Sequence, residues 1–270
     1  MEEVNNTGAE QLTVETAIAN LQQKSDLGAR YYAAWWLGKF RVAESAAIDA
    51  LLIALEDESD RAPDGGYPLR RNAARALGKL GDTKAVLPLI RCLESTDFYV
   101  REAAARALGN LRDGDGVTAL MAMLEGGVAA AQFVPGKPHL VQPYEAVIEA
   151  LGTVGATEAI PYIEPFIEHP LAKVKYAAAR AMYQLTNEDR YGAILVNALS
   201  GNDLQLRRSA LMDLAAVGYL PAGNAIAKTL AENSMKLIAL KGLLETNLQV
   251  NTSALAPENI KIMDLMDSLL

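Results

Sequence analysis

Side chains that can do chemistry concentrate in two stretches rich in Pro and Gly, at positions 56–68 and 126–139. The first includes a carboxylate beside a phenol after an acidic run, and the second an ammonium group and an imidazole, which serve as acids, hydrogen-bond donors or cations. These side chains belong to Asp64, Tyr67, Lys137 and His139. We predict that the two stretches are functional loops. The alternative is a pair of tolerated surface insertions, because Pro-Asp-Gly-Gly is also favourable turn chemistry.

The sequence lacks the motifs of several enzyme classes. It has no phosphate-binding loop, no dinucleotide fingerprint and no Gly-x-Ser-x-Gly elbow. Two histidines and one cysteine, Cys92, cannot form a typical zinc site alone, so we predict no metal and no cofactor. A single cysteine excludes an intramolecular disulfide and favours a reducing compartment. We expect Cys92 to be a buried structural thiol, with no cationic neighbour to lower its pKa.

Composition limits the partners and the location. The 270 residues carry 25 Lys and Arg against 33 Asp and Glu, a formal net charge of −8. Such an acidic chain is a poor match for nucleic acid or an anionic membrane. No apolar run approaches the roughly 18 residues that cross a bilayer, and the N-terminus does not resemble a signal peptide. We therefore expect a soluble cytoplasmic protein with no nucleic acid and no membrane insertion.

An internal repeat organises the chain. Similar six-residue segments, typified by Ala-Ala-Arg-Ala-Leu-Gly, occupy positions 33–38, 73–78, 104–109, 147–152 and 178–183. The steps between them are 40, 31, 43 and 31 residues, so the unit is 31 residues and the two loops are insertions. Each unit indicates an Ala-rich helix ending near the Gly, as a left-handed C-cap, followed by a second helix. The predicted fold is all-α, an α-solenoid of about six to seven HEAT-like helix pairs.

The predicted boundaries cover the whole chain. Residues 1–270 are expected to form a single solenoid, with an N-terminal cap over 1–25 and a C-terminal capping helix within 251–270 that could instead dock a partner. A basic residue recurs eight positions before the Gly, and three of these have an acid four residues earlier. We expect these acids to support helix starts. They are Asp26, Asp97 and Asp203.

The first repeat differs from the others on its predicted surface. Tyr31 and Trp35 occupy positions that are mostly charged or polar in later repeats, and they lie one turn apart on a helix. Large aromatic side chains there indicate a contact surface; the alternative is that residues 1–25 fold over them. Trp36 occupies a position that holds Ala elsewhere, so it either fills the end of the core or joins the contact surface.

Four segments resemble one family. Residues 31–42 are similar to the N-terminal signature of the E subunit of E/F-type phycocyanobilin lyases, and residues 63–72, 138–146 and 174–185 also resemble that subunit. The resemblance implies pairing with an F-type HEAT-repeat subunit. It further implies attachment of phycocyanobilin, through a thioether, to a cysteine of the phycocyanin α subunit, in a cyanobacterial cytoplasm or an algal plastid stroma. Two alternatives are a non-catalytic HEAT adaptor for phycobiliproteins and a lyase-isomerase subunit for phycoerythrocyanin.

The implied reaction suggests roles for particular residues. The acceptor supplies the thiol, so the lyase needs only to hold the bilin and deliver a proton. We expect Asp64 to bind the pyrrole nitrogens and Tyr67 or His139 to be the donor. The expected bilin-binding or partner-binding residues are Tyr31, Trp35, Trp36, Arg41, Arg71, Lys137 and Tyr144.

Overall fold

A computed structural model describes residues 12–250 and 256–270. Residues 1–11 of the predicted N-terminal cap and residues 251–255 of the predicted C-terminal cap lie outside this part. The chain divides into two compact units between Gly116 and Val117. The prediction of one continuous solenoid over residues 1–270 stays a prediction.

Unit 1 contains six described helices and two short 3-10 turns, at Thr83–Ala85 and Gly114–Gly116. Its described helices are α1 (Val14–Gln22), α2 (Leu27–Lys39), α3 (Ser45–Glu56), α4 (Pro68–Leu80), α5 (Val86–Cys92) and α6 (Phe98–Leu111). The Ala-rich helices α2, α4 and α6 pack side by side, while α3 and α5 form the layer behind them. The predicted alternation of two helix types is therefore present.

Unit 2 continues the same alternation. Its described helices are α7 (Val117–Ala122), α8 (Gly127–Ala130), α9 (Tyr144–Val154), α10 (Ile160–Ile163), α11 (Ala172–Thr186), α12 (Asp189–Ala198), α13 (Leu204–Val217), α14 (Gly223–Lys228), α15 (Asn233–Val250) and α16 (Pro257–Asp267). The 3-10 turns are Thr157–Ala159, Glu164–Glu168 and Leu220–Ala222. Helix α16 packs on α14 and α15. No helix in the described ranges is long and apolar enough to cross a membrane.

The repeated Gly does not cap its helix, which corrects the prediction from sequence. Gly78 lies inside α4, and the left-handed C-cap is Gly81, three residues later, with φ +79°. A Cβ on Gly78 would lie 2.6 Å from the Cα of Ala107 in α6. Glycine is required at this position because the backbones of two neighbouring helices touch there. The same contact joins Gly38 to Ala76 in unit 1.

Acidic and basic residues at the helix starts have separate structural roles. The three predicted acids are N-caps whose carboxylates accept backbone N–H groups of α2, α6 and α13: Asp26, Asp97 and Asp203. The cations instead donate to backbone carbonyls near the ends of other helices: Arg30 to Leu21 (3.0 Å), Arg70 to Leu55 (2.9 Å) and Arg207 to Leu230 (3.1 Å). Both sets satisfy backbone groups that a helix end leaves without partners.

Candidate functional site

An exposed aromatic surface lies on α2 in unit 1. The side chains of Tyr31, Tyr32 and Trp35 are 43%, 51% and 42% exposed, and the rings of Tyr32 and Trp35 stack with centroids 5.4 Å apart. Helix α1 packs against α2 but leaves these rings exposed. The predicted exposure of Tyr31 and Trp35 is present, and flat rings in this position can stack on a planar conjugated ligand.

Two further residues of the first repeat have mainly structural contacts. Trp36 is half-buried, and its ring packs on Phe40 with centroids 4.9 Å apart. Arg41 follows α2 in a left-handed conformation, φ +53°, and its Nη1 donates to the carbonyl of Lys79 at 3.2 Å. Arg41 therefore binds the C-terminal end of α4, while its side chain stays exposed.

The first insertion is a tight turn that leads into α4. Asp64 is exposed, and its Oδ1 accepts the N–H of Gly66 at 3.0 Å, which closes an Asx-type turn. Tyr67 is 8% exposed, and the guanidinium groups of Arg61 and Arg70 lie over its ring, 5.8 and 5.2 Å from the centroid. The structure thus presents Asp64 to solvent and buries most of Tyr67.

Asp97, which we predicted only as a helix-start support, anchors this insertion. Its Oδ2 accepts the backbone N–H of Tyr67 at 2.8 Å and Nε of Arg71 at 2.8 Å, while Oδ1 caps α6 through the N–H of Tyr99. Burial by itself would raise the pKa of Asp97, but these hydrogen bonds outweigh it and the pKa is lowered. The sequence predicted the N-cap position of Asp97. Nothing in the sequence indicated its hydrogen bond to an insertion 30 residues earlier.

The second insertion, in unit 2, folds as a small hairpin after α8. The N–H of Val134 donates to the carbonyl of His139 at 3.0 Å, and the N–H of Lys137 donates to Val134 at 2.9 Å. Pro135 followed by Gly136 at φ +72° matches a type II turn. Lys137 is exposed near the tip, and His139 is half-buried with Nδ1 2.8 Å from the carbonyl of Leu140.

Tyr144 lies in the core of unit 2 rather than on its surface. Its side chain is 2% exposed, and its ring packs on Phe166 with centroids 5.3 Å apart. Direct contact with a ligand, as predicted for Tyr144, does not fit this burial. His169 is also buried, and its Nδ1 accepts the N–H of Leu171 at 3.1 Å, which is a turn-stabilising role.

A cavity of about 360 Å³ lies on the face of unit 2 that carries the repeat positions of Tyr31 and Trp35. We did not predict this cavity, although the repeat alignment places several of its lining residues at the positions of Tyr31 and Trp35. Its lining includes Glu145, Glu149, Tyr176, Arg208, Met212 and Asp213. The lining combines acidic, basic and apolar side chains.

Cys92 is buried, as predicted, but it has a cationic neighbour. Its side chain is 2% exposed, and Arg70 lies nearby with Nη2 4.0 Å from Sγ. Burial raises the pKa of the thiol, and the neighbouring Arg70 only partly opposes that effect. The expectation that Cys92 lacks a cationic neighbour was therefore wrong, while its assignment as an inert thiol agrees with its burial.

Comparison with known proteins identifies the family. Residues 60–131 match the model of HEAT repeats, and residues 29–57 match that of the PBS lyase HEAT-like repeat. Over 97% of its length the chain is 64% identical to the phycocyanobilin lyase subunit alpha of Picosynechococcus sp., 98% of which is covered. The chain belongs to the phycocyanobilin lyase alpha-subunit family. This membership confirms the resemblance, the HEAT-type α-solenoid class and the lyase class expected from the sequence.

Two further comparisons agree with this family. A chain in the solved complex of CpcE and CpcF of phycocyanin lyase from Nostoc sp. is 64% identical, with a TM-score of 0.90 over 100% of this chain and 99% of that one. The bilin biosynthesis protein PecE of Nostoc sp. is 45% identical over 89% of this chain and 90% of its own length. The chain is thus more similar in sequence to the lyase alpha subunit of Picosynechococcus sp. than to PecE.

Proposed function

We propose that this member of the phycocyanobilin lyase alpha-subunit family joins phycocyanobilin to a cysteine of the phycocyanin α subunit. The observation that carries the proposal is 64% identity to lyase alpha subunits over nearly the whole chain. An F-type HEAT-repeat subunit is the proposed partner, supported by the likeness to a chain of the CpcE–CpcF complex. The proposed location is a cyanobacterial cytoplasm or a plastid stroma, and phycocyanobilin is proposed to act as a substrate rather than as a cofactor.

The chemistry needs no nucleophile from this chain. The thiol of the acceptor adds across the ethylidene double bond of ring A, so that sulfur bonds to the ethylidene carbon and the proton goes to the adjacent ring carbon. All atoms come from the two substrates. The lyase lowers the barrier by holding the extended tetrapyrrole in one orientation and by assisting the proton transfer. The burial of Cys92 agrees with a reaction whose only reactive thiol belongs to the acceptor.

Each unit offers groups that suit parts of the bilin. The rings of Tyr31 and Trp35 offer exposed stacking faces, and the carboxylate of Asp64 is accessible to the pyrrole N–H groups. Of the two predicted donors, His139 is half-buried and Tyr67 is 8% exposed, so we favour His139 as the proton donor. Lys137, exposed on the same hairpin as His139, can bind a propionate or the partner.

Reconstitution tests this proposal directly. The chain is expressed with an F-type subunit, a phycocyanin α subunit and a source of phycocyanobilin, and covalent bilin is measured on the denatured α subunit in acid. We expect a bilin adduct that depends on this chain. Equal adduct formation without the chain would contradict the proposal and favour a non-catalytic adaptor. A product absorbing at shorter wavelength than attached phycocyanobilin would indicate isomerisation as well.

A further inference from the structure

The guanidinium of Arg71 is fixed by two neighbours in unit 1. Its Nε and Nη2 both lie 2.8 Å from Oδ2 of Asp97, whose side chain is only 3% exposed. The ring of Tyr99 lies 4.7 Å from the centre of the guanidinium and covers one of its sides. A guanidinium is planar and carries five N–H donors, so two contacts along one edge set the direction of the opposite edge.

The first insertion adds a third constraint. A Cβ on Gly66 would come within 2.0 Å of Nη2 of Arg71, so the loop backbone lies directly against the guanidinium. Gly66 does not have a positive φ, so an added Cβ would be opposed only by the Arg71 guanidinium and the Asp64 carboxylate, which would have to move. Asp97 also accepts the N–H of Tyr67, which joins the loop, the arginine and the start of α6 into one arrangement.

This arrangement leaves donors of Arg71 available. The Arg71 side chain is 21% exposed, and within the described ranges no protein acceptor takes its Nη1 hydrogens. The next residue, Asn72, donates to the carbonyl of Tyr31 at 3.3 Å, so the start of α4 lies beside the aromatic surface of α2. An oriented guanidinium edge next to stacking rings matches a conjugated ligand that carries carboxylates.

We propose that Arg71 binds a propionate carboxylate of the bilin and that Asp97 is a positioning residue that acts through Arg71. The proposal rests on the proposed lyase function and adds the group that orients the substrate. Asp97 touches no substrate atom. It holds the guanidinium in a fixed plane before binding, so less conformational freedom is lost when the carboxylate arrives.

The test compares phycocyanobilin with its dimethyl ester, which lacks the carboxylates. Dissociation constants for both are measured by absorbance titration on the complete heterodimer, without the acceptor. The wild type is expected to bind the free acid more tightly. R71Q should lower this preference about ten-fold by weakening the free acid alone. D97N should act similarly, because Asn keeps the N-cap but offers an N–H to Arg71.

Matched controls separate orientation from folding. D203N alters an N-cap of the same kind in unit 2, and R75Q removes an exposed arginine one turn after Arg71; both should keep the wild-type preference. G66A keeps both charges but displaces the guanidinium, and should also lower the preference. Circular dichroism and urea unfolding confirm that each variant is folded.

The outcomes distinguish this proposal from the lyase function. If the wild type transfers bilin to the α subunit and R71Q retains the ester discrimination, or R75Q loses it instead, the role of Arg71 is wrong. If D97N and G66A both retain the discrimination while R71Q loses it, the positioning role of Asp97 is wrong. If the wild-type complex transfers no bilin, the proposed function fails first.

Discussion

Gly78 of α4 lies against Ala107 of α6 so closely that a Cβ on the glycine would come within 2.7 Å of the alanine Cβ. Equivalent pairs are Gly38 with Ala76 in unit 1 and Gly152 with Ala181 in unit 2. Neighbouring repeats therefore meet through backbone contacts rather than through large side chains. This packing accounts for a chain with only 6% aromatic residues.

Gly78→Ala should destabilise the protein by about 1 to 3 kcal/mol, the usual cost of overpacking. In an exposed helix the same change would stabilise by up to about 1 kcal/mol. Urea unfolding measures the difference. Gly114→Ala is the matched control, since a Cβ there meets no atom within 4 Å, and it should be nearly neutral. A stable Gly78→Ala variant would show that α4 and α6 can separate at little cost.

The repeat periodicity predicted the helices well but assigned the wrong role to its glycine. Near the end of a helix, both a left-handed cap and a close backbone contact require glycine, and a single sequence cannot distinguish them. The left-handed residue lies three positions later, at Gly81, Arg112 and Gly155. The link from Asp97 to the first insertion could not be predicted, because it joins the Asp97 carboxylate to the backbone N–H of Tyr67, and only the packing of α4 against α6 brings the two together.

Asp57 should make stability fall in acid. Burial alone would raise its pKa, but hydrogen bonds from Ser59 and from the buried Arg30 lower it to about 2. A lowered folded pKa gives stability that is complete above the unfolded value near 4 and is lost as pH falls towards 2. We expect a loss of about 1 kcal/mol from this group by pH 3.

Asp57→Asn provides the measurement. Unfolding free energies of the wild type and the variant, followed by urea titration from pH 7 to pH 3, should converge as pH falls. Ser59→Ala removes one of the hydrogen bonds and should give an intermediate slope. Parallel curves for the wild type and Asp57→Asn over this range would mean that the Arg30–Asp57 ion pair does not form in solution.

Cys92 should be dispensable for bilin transfer. The thiol is buried and its pKa is raised, so iodoacetamide should label it slowly in the native protein and rapidly in guanidinium chloride. Cys92→Ala should retain transfer activity with a stability loss of about 1 kcal/mol. Loss of transfer in a folded Cys92→Ala variant would instead point to a lyase-bound thioether intermediate, detectable as a mass increase of the wild-type chain.

Trp35→Ala should reduce bilin binding without much effect on folding. The ring is 42% exposed and stacks on Tyr32, so its removal should cost less than about 1 kcal/mol of stability. Loss of one stacking partner should weaken binding of phycocyanobilin about five-fold to ten-fold. Tyr162, 45% exposed on α10, is the aromatic control, and Tyr162→Ala should bind as the wild type does. Equal effects of both variants would contradict a specific role for the α2 surface.

Substitutions of Asp64 can separate the role of its charge from its role in stabilising the turn. The carboxylate caps the N–H of Gly66 at 3.0 Å, a contact that Asn can reproduce and Ala cannot. If the negative charge binds the pyrrole N–H groups, Asp64→Asn and Asp64→Ala should both lower the yield of bilin adduct, by about ten-fold. If Asp64 only shapes the loop, Asp64→Asn should keep the wild-type yield while Asp64→Ala loses it. Unfolding midpoints within the error of the wild type would show that neither change acts through the helices.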